Sequence, residues 1–173
     1  MTTAVDTNTI DRLLGHNAWA TRVLLERCRD LTPAQFSQKF EIGLGTTHDT
    51  LLHIVGAMYR WADRIGGRPL RSRLEDEPRT WTPDEIMARL DDCAPDLAGV
   101  IKRVVTEDRL DEKIEFVIPD EAPFVFTLGT AIVHVTTHGV HHRAQALNML
   151  RRLGLNDLPD LDAVEWELVG KGD

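Results

Sequence analysis

The sequence predicts an all-α fold, a four-helix bundle with one long crossover. First, four long segments repeat apolar residues every three to four positions, the period of a helix face that packs on a core. Second, glycine and Thr-Pro pairs separate these segments, as they do at helix ends. The 173 residues, of which 42% are hydrophobic, suit a single domain over residues 1–173.

The first predicted helix covers residues 9–29. Its candidate N-caps are Asp6, Thr7 and Asn8. Thr32 and Pro33 then predict a short helical turn, because threonine caps a helix and proline fits its first position.

The second and third helices have clear start signals. Thr46 or Thr47 caps the second, which ends at Ile65 before two glycines. The tetrapeptide TPDE at residues 82–85 combines a threonine cap, a first-turn proline and a capping-box glutamate. The third helix therefore runs from this tetrapeptide to about Val105.

The long crossover differs in composition from the helices. Residues 114–127 contain two β-prone runs around a Pro-Asp-Glu-Ala-Pro stretch, which predicts a small β-hairpin or an extended crossover. The fourth helix follows from Leu128 to about Leu153. The tail, residues 156–173, carries Trp166 and is expected to wrap the bundle.

Charge and composition exclude several function classes. The formal net charge of −8 disfavours binding to nucleic acid or to anionic lipid, and we interpret the basic residues 68–73 as a solvated loop. The chain shows neither a signal-peptide pattern nor a membrane-spanning run of apolar residues. Cys28 and Cys93 form no CxxC motif and no disulfide framework. We therefore expect a cytoplasmic protein.

A histidine cluster is the strongest functional signal. Four of the seven histidines lie within residues 133–142. On a helix His134, His138 and His142 share one side, and the apolar seam of the fourth helix selects His138 and His142 as the pair that faces inward. Two inward histidines four residues apart favour a metal site over two hydrogen-bonded core histidines. His134 is then a supporting group, an extra ligand or a surface residue, and His141 points outward.

A third ligand has to come from another helix. The second helix offers His48 and His53, and its apolar periodicity favours His48. This helix is apolar over a wide arc, so its inner face is poorly defined. His16 in the first helix is a further option.

Three segments resemble one known family. Residues 134–145 (HVTTHGVHHRAQ), residues 50–54 (TLLHI) before Trp61, and residues 16–20 (HNAWA) look like the motifs of the DinB/YfiT-like superfamily, in the family's order. The resemblance covers nearly the whole chain and implies a four-helix bundle with a three-residue metal site. By position, the implied metal ligands are His53, His138 and His142, and on this point we follow the resemblance over the periodicity.

Three neutral imidazoles on Zn²⁺ or Ni²⁺ leave at least one coordination position open for water or a thiolate. The resemblance implies a metal-dependent transferase that moves a low-molecular-weight thiol to a small electrophilic substrate, or isomerises that substrate, and it implies a homodimer. Two alternatives remain: a non-catalytic, metal-binding dimeric bundle in stress response, and a metal-dependent hydrolase. Candidate supporting groups are Tyr59, Arg143 and Gln145.

Overall fold

The computed structural model describes residues 8–117 and 122–170. Its long helices are α1 (Asn8–Cys28), α3 (Thr47–Ile65), α4 (Pro83–Thr106) and α5 (Leu128–Arg152). The smaller elements are α2 (Pro33–Phe36), a 3₁₀ turn (Leu74–Asp76), β1 (Lys113–Phe116), β2 (Phe124–Thr127), α6 (Ala163–Glu165) and a π-helical turn (Trp166–Gly170). The candidate caps Asp6 and Thr7, the side chain of Asn8, residues 118–121 of the crossover and the last three residues of the tail lie outside the described residues.

The four long helices form the predicted bundle. α1 and α3 lie on one diagonal, and each packs against both α4 and α5. All four helices contribute fully buried side chains to the core, among them Leu24, Leu51, Leu90 and Leu150. The four-helix-bundle prediction is therefore confirmed. Within the described part of the chain, no helix is long and apolar enough to cross a membrane.

The predicted helix starts are also present. The hydroxyl of Thr32 accepts a hydrogen bond from the backbone N–H of Gln35, and the hydroxyl of Thr82 accepts one from Glu85. The side chains of Gln35 and Glu85 accept in return, so both capping boxes are complete. Thr46, rather than its neighbour, is the cap of α3.

The crossover contains the β-hairpin. β1 pairs antiparallel with β2, and Phe116 lies opposite Phe124. Side chains alternate between the two faces of a strand, so Phe116, Phe124 and Phe126 share one face. This face meets α3, where the rings of Phe116 and Phe126 each lie 6.1 Å from the ring of Trp61. The hairpin thus places three phenylalanines beside α3.

The loop from α3 to α4 is exposed, and ion pairs anchor it to both helices. Arg71 donates to Asp63 at 2.7 Å and to Asp96 at 2.8 Å, and Arg68 binds both carboxylate oxygens of Asp96. These ion pairs neutralise two arginines of the basic stretch, and residues 68–73 are all exposed, in agreement with the predicted solvated loop. They also hold the loop that carries Glu75 close to α3.

The tail packs on the bundle as predicted. Trp166 is buried against α1, where a Cβ on Gly15 would lie 2.7 Å from its ring. His16 donates from Nε2 to the carbonyl oxygen of Leu161 at 2.8 Å. Glycine at position 15 therefore leaves the space that the indole ring occupies.

Candidate metal centre

Three histidines converge between α3 and α5. His53 comes from α3, and His138 and His142 come from consecutive turns of α5. Their ring centroids lie 4.4 to 5.0 Å apart, and one ring nitrogen from each lies within 4.8 Å of the others. The Nε2 atoms of His53 and His138 are 3.1 Å apart.

This geometry fits a divalent metal ion. Tetrahedral Zn–N bonds of about 2.0–2.1 Å place two ligand nitrogens about 3.4 Å apart, close to the distance between His53 and His138. Burial, helped by the neighbouring imidazoles, lowers the pKa of His138 to about 3, and burial also lowers the pKa of His142. Both rings are therefore neutral near neutral pH, the form that binds a metal. The three histidines can hold a metal ion.

Two side chains orient the rings. His53 donates from Nδ1 to Glu75 Oε1 at 2.8 Å, and His142 donates from Nδ1 to Gln145 Oε1 at 2.8 Å. Each bond puts the proton on Nδ1 and leaves the lone pair of Nε2 directed at the cluster. A Cβ on Gly56 would lie 3.1 Å from Glu75 Oε2, so glycine here leaves room for the carboxylate.

Glu75 escaped the sequence analysis. Burial, the largest single effect, would raise its pKa, but the hydrogen bond from His53, a backbone hydrogen bond and the neighbouring charges of His53 and Arg73 together lower the pKa below its ordinary value. The residue stands 22 positions after His53 in a polar loop, where no periodicity marks it. Glu75 reaches His53 because Arg71 anchors the loop to α3, and this contact is visible only in the folded structure.

The two alternative third ligands are engaged elsewhere. His48 donates from Nδ1 to Asp49 at 2.7 Å and accepts at Nε2 from the backbone N–H of Trp81 at 3.1 Å. His16 bonds to the tail. The periodicity of α3 therefore pointed to His48 for a structural reason: this ring is buried and supports the start of α4, whereas half-buried His53 meets α5.

The other two histidines of residues 133–142 do not belong to the cluster formed by His53, His138 and His142. His134 is exposed, with its ring 4.9 Å from Trp61 and 5.5 Å from His138. His141 is exposed, as predicted, and contacts Gln145. Among the described residues, no fourth histidine, cysteine or carboxylate joins the group.

Of the three candidate supporting groups, only Gln145 touches the cluster. Arg143 is 3% exposed and points to α1, where its Nη1 donates to Asn17 Oδ1 at 2.7 Å and to Thr21 Oγ1 at 3.1 Å. Burial lowers the pKa of Arg143 to about 10, so the guanidinium stays charged near neutral pH. Tyr59 lies under the guanidinium of Arg71, and its hydroxyl donates to Asp92 of α4 at 3.5 Å.

Two cavities border the cluster. One of about 530 Å³ is lined by His53, Glu75 and Arg73, among others. A second of about 300 Å³ is lined by His53 and His138. A metal ion held by the three imidazoles would therefore keep coordination positions that small molecules can reach.

A four-helix bundle with three converging histidines on two neighbouring helices defines a class of bundle protein that can hold a divalent metal ion. The profile of the DinB family matches residues 1–166, and the chain belongs to this family. The structure is similar to the crystal structure of a DinB-like protein from Bacillus cereus ATCC 10987, with a TM-score of 0.61 and 20% identity, over 82% of this chain and 90% of that one. The comparison with curated proteins returned no match.

Proposed function

We propose that this protein is a metal-dependent enzyme whose ligands are His53, His138 and His142. The observation that carries the proposal is the convergence of three imidazoles beside two cavities, with no fourth protein ligand among the described residues. Structural zinc sites are normally closed by four protein ligands, whereas catalytic sites keep a position open. The open side favours a reactive metal over a structural one.

The proposed reaction is transfer of a low-molecular-weight thiol to a small electrophilic substrate, or isomerisation of that substrate. Zn²⁺ or Ni²⁺, when bound, lowers the pKa of a thiol or water at the open position. The protein's own contribution is orientation: Glu75 and Gln145 fix the imidazole tautomers. Cys28 and Cys93 are fully buried, which supports a thiol supplied from outside the chain.

Elemental analysis of purified protein tests the metal centre. We expect near-stoichiometric zinc or nickel in the wild type and loss of metal in His53→Ala and in His138→Ala. His16→Ala is the matched control. This histidine bonds to the tail and not to the cluster, so the variant should keep its metal. Metal retained in His53→Ala but lost in His48→Ala would contradict the proposed ligand set.

Cobalt substitution and an ester-cleavage assay separate the thiol transferase from the two alternatives. A low-molecular-weight thiol that binds Co²⁺ through sulfur produces a sulfur-to-cobalt charge-transfer band, which His138→Ala should abolish. A hydrolase with an open metal position would show this band too, but it would cleave activated esters without an added thiol. A non-catalytic bundle would show neither the band nor ester cleavage.

The homodimer and the cytoplasmic location remain predictions from the sequence. Light scattering of the purified protein tests the homodimer.

A further inference from the structure

We propose that the site takes an organic carboxylate with a flat apolar body, the body lying in an aromatic groove and the carboxylate at Arg64. This inference deepens the proposed function and rests on it in one respect, that the groove opens onto the metal centre. Three observations carry it: the lining of the groove, its continuity with the histidine cluster, and the surroundings of Arg64.

The groove lies between the hairpin and the helices α3 and α5, with a volume of about 300 Å³. Its lining residues are Trp61, Phe116, Phe124, Phe126, Thr130 and His134. The strand period directs all three phenylalanines to this side, and Phe124 remains 48% exposed. Small-molecule sites are concave and lined mainly by apolar and aromatic groups, and aromatic faces prefer flat partners.

The groove continues towards the metal centre. Trp61, Phe116 and His134 line both the groove and the neighbouring cavity, and this cavity also has His53 and His138 in its wall. A molecule whose body stacks in the groove can therefore extend a reactive group to the cluster without leaving the protein surface. The groove is thus the part of the site that is suited to select a substrate by shape.

Arg64 lines the cavity, beside two aromatic residues that the cavity shares with the groove. Its guanidinium carbon is 4.4 Å from the ring centroid of Phe116 and 5.3 Å from that of Trp61. Within residues 8–117 and 122–170, no carboxylate or other acceptor bonds to this guanidinium, whereas Arg68 and Arg71 both pair with aspartates. The contacts with these two rings hold Arg64 in place, and its N–H groups have no bonded acceptor among the described residues and can bind a ligand.

The charge around Arg64 favours an anion. Arg60 and Arg73 line the same cavity, although the protein as a whole carries a net charge of −8. Glu75, the acidic residue in this lining, is already bonded to His53. A planar guanidinium binds a carboxylate through two parallel hydrogen bonds, which a neutral amide cannot reproduce.

The test is a titration with 2-naphthoate, with 2-naphthamide as the uncharged control, followed by the indole N–H signals in NMR spectra. We expect the signal of Trp61, assigned with Trp61→Phe, to shift with a Kd on the order of 1 mM, while the signals of Trp19 and Trp81 stay in place. The amide should bind more weakly. Arg64→Gln should weaken naphthoate binding roughly tenfold or more and leave amide binding unchanged.

Two further variants keep the test decisive. Arg151→Gln removes an exposed charge near the end of α5 and should leave binding unchanged. Phe124→Ala removes an exposed ring from the wall of the groove and should weaken the binding of both naphthoate and naphthamide. Equal affinity for acid and amide, an unmoved Trp61 signal, or unchanged naphthoate binding in Arg64→Gln would each overturn the inference.

The titration is run on the protein as purified and again after chelator treatment. The groove and Arg64 do not need the metal, so Arg64-dependent binding in both samples supports the inference. The same binding in a protein that takes up no metal would show that the proposed metal chemistry fails while the anion site stands. Metal uptake without Arg64-dependent binding would overturn the anion site alone.

Discussion

A single hydrogen bond decides which nitrogen of His53 is available to a metal ion. Glu75 accepts from Nδ1, so the lone pair lies on Nε2, which faces His138. A carboxylate behind a metal-binding imidazole also raises the basicity of the ring. The loop residue Glu75 therefore acts on the cluster without belonging to it.

Replacing Glu75 should weaken metal binding. We expect Glu75→Ala to lower zinc affinity about 10- to 100-fold, the usual loss when such a partner is removed, because the imidazole is then free to turn or change tautomer. Glu75→Gln keeps an acceptor oxygen and should lose less. Competition with a chromophoric chelator measures both. Glu77→Gln, on the same loop and exposed, is the control, and an equal loss there would contradict the role of Glu75.

At the scale of elements, the approach of α5 to α1 sets the direction in which the histidines of α5 point. Gly139 lies one residue after His138 and faces α1, where a Cβ would clash with Asn17 Oδ1 and lie 2.7 Å from Arg143 Nη1. Asn17 and Arg143 are bonded to each other across this contact. A side chain at position 139 would therefore displace the ends of Asn17 and Arg143 and disturb the hydrogen bond between them.

Two glycine substitutions should therefore have opposite effects. Gly139→Ala should destabilise the protein by about 1–3 kcal/mol, because it overpacks a buried contact. Gly99→Ala, in the middle of α4 with nothing within 4 Å of the added Cβ, should stabilise it by roughly 0.5–1 kcal/mol through helix propensity. Urea denaturation measures both changes. A neutral Gly139→Ala would show that α1 and α5 adjust at no cost.

The anchoring of the loop from α3 to α4 should depend on pH. Hydrogen bonds from Arg68 and then Arg71 lower the pKa of Asp96 to about 2. Burial, the largest single effect, would raise the pKa of Asp63, which is 2% exposed, but its hydrogen bonds to Arg71 and the charges of Arg71 and Arg68 together lower it. Because these folded-state values lie below the unfolded value of about 3.9, the stabilisation is present above that pH and is lost as the pH falls towards about 2.

Asp63→Asn tests this dependence. We expect a loss of about 1–3 kcal/mol near pH 7, discounted from a fully buried pair because Arg71 is 40% exposed. The difference between wild type and variant should shrink when unfolding is measured near pH 3, where the wild-type carboxylates begin to take up protons. A difference that stays constant over this range would contradict the assignment.

At the scale of the whole molecule, the two cysteines report on the integrity of the core. Cys28 and Cys93 are 0% exposed, and burial raises the pKa of each thiol to about 12. Both lie in the central hydrophobic cluster of the bundle. Their thiolates are therefore scarce and out of reach while the bundle is folded.

Native protein should react with a disulfide-exchange reagent slower than denatured protein by roughly three orders of magnitude or more, since labelling requires opening of the core. Time courses with and without denaturant measure this ratio, and Cys28→Ala assigns the remaining signal to Cys93. Fast labelling of the native protein would mean that the bundle opens locally at one of these sites.

Local sequence signals determined the elements of this protein. Thr32 and Thr82 carry complete capping signals, the apolar period of each helix defines a buried face, and the spacing of His138 and His142 places both on one side of α5. These features depend on residues that are close in the chain, so they can be predicted before the fold is known. The DinB resemblance added the family and the choice of His53.

Only the tertiary structure decided the surroundings of the histidines. Periodicity favoured His48, but in the packed bundle His48 accepts a hydrogen bond from the backbone of Trp81, and it is His53 that lies against α5. Glu75 reaches His53 because Arg71 and Asp63 fold the loop back, and Arg64 meets the hairpin through Phe116. Each of these contacts joins residues that are far apart in the sequence or in an irregular segment, where geometry depends on how the helices pack and not on any local pattern.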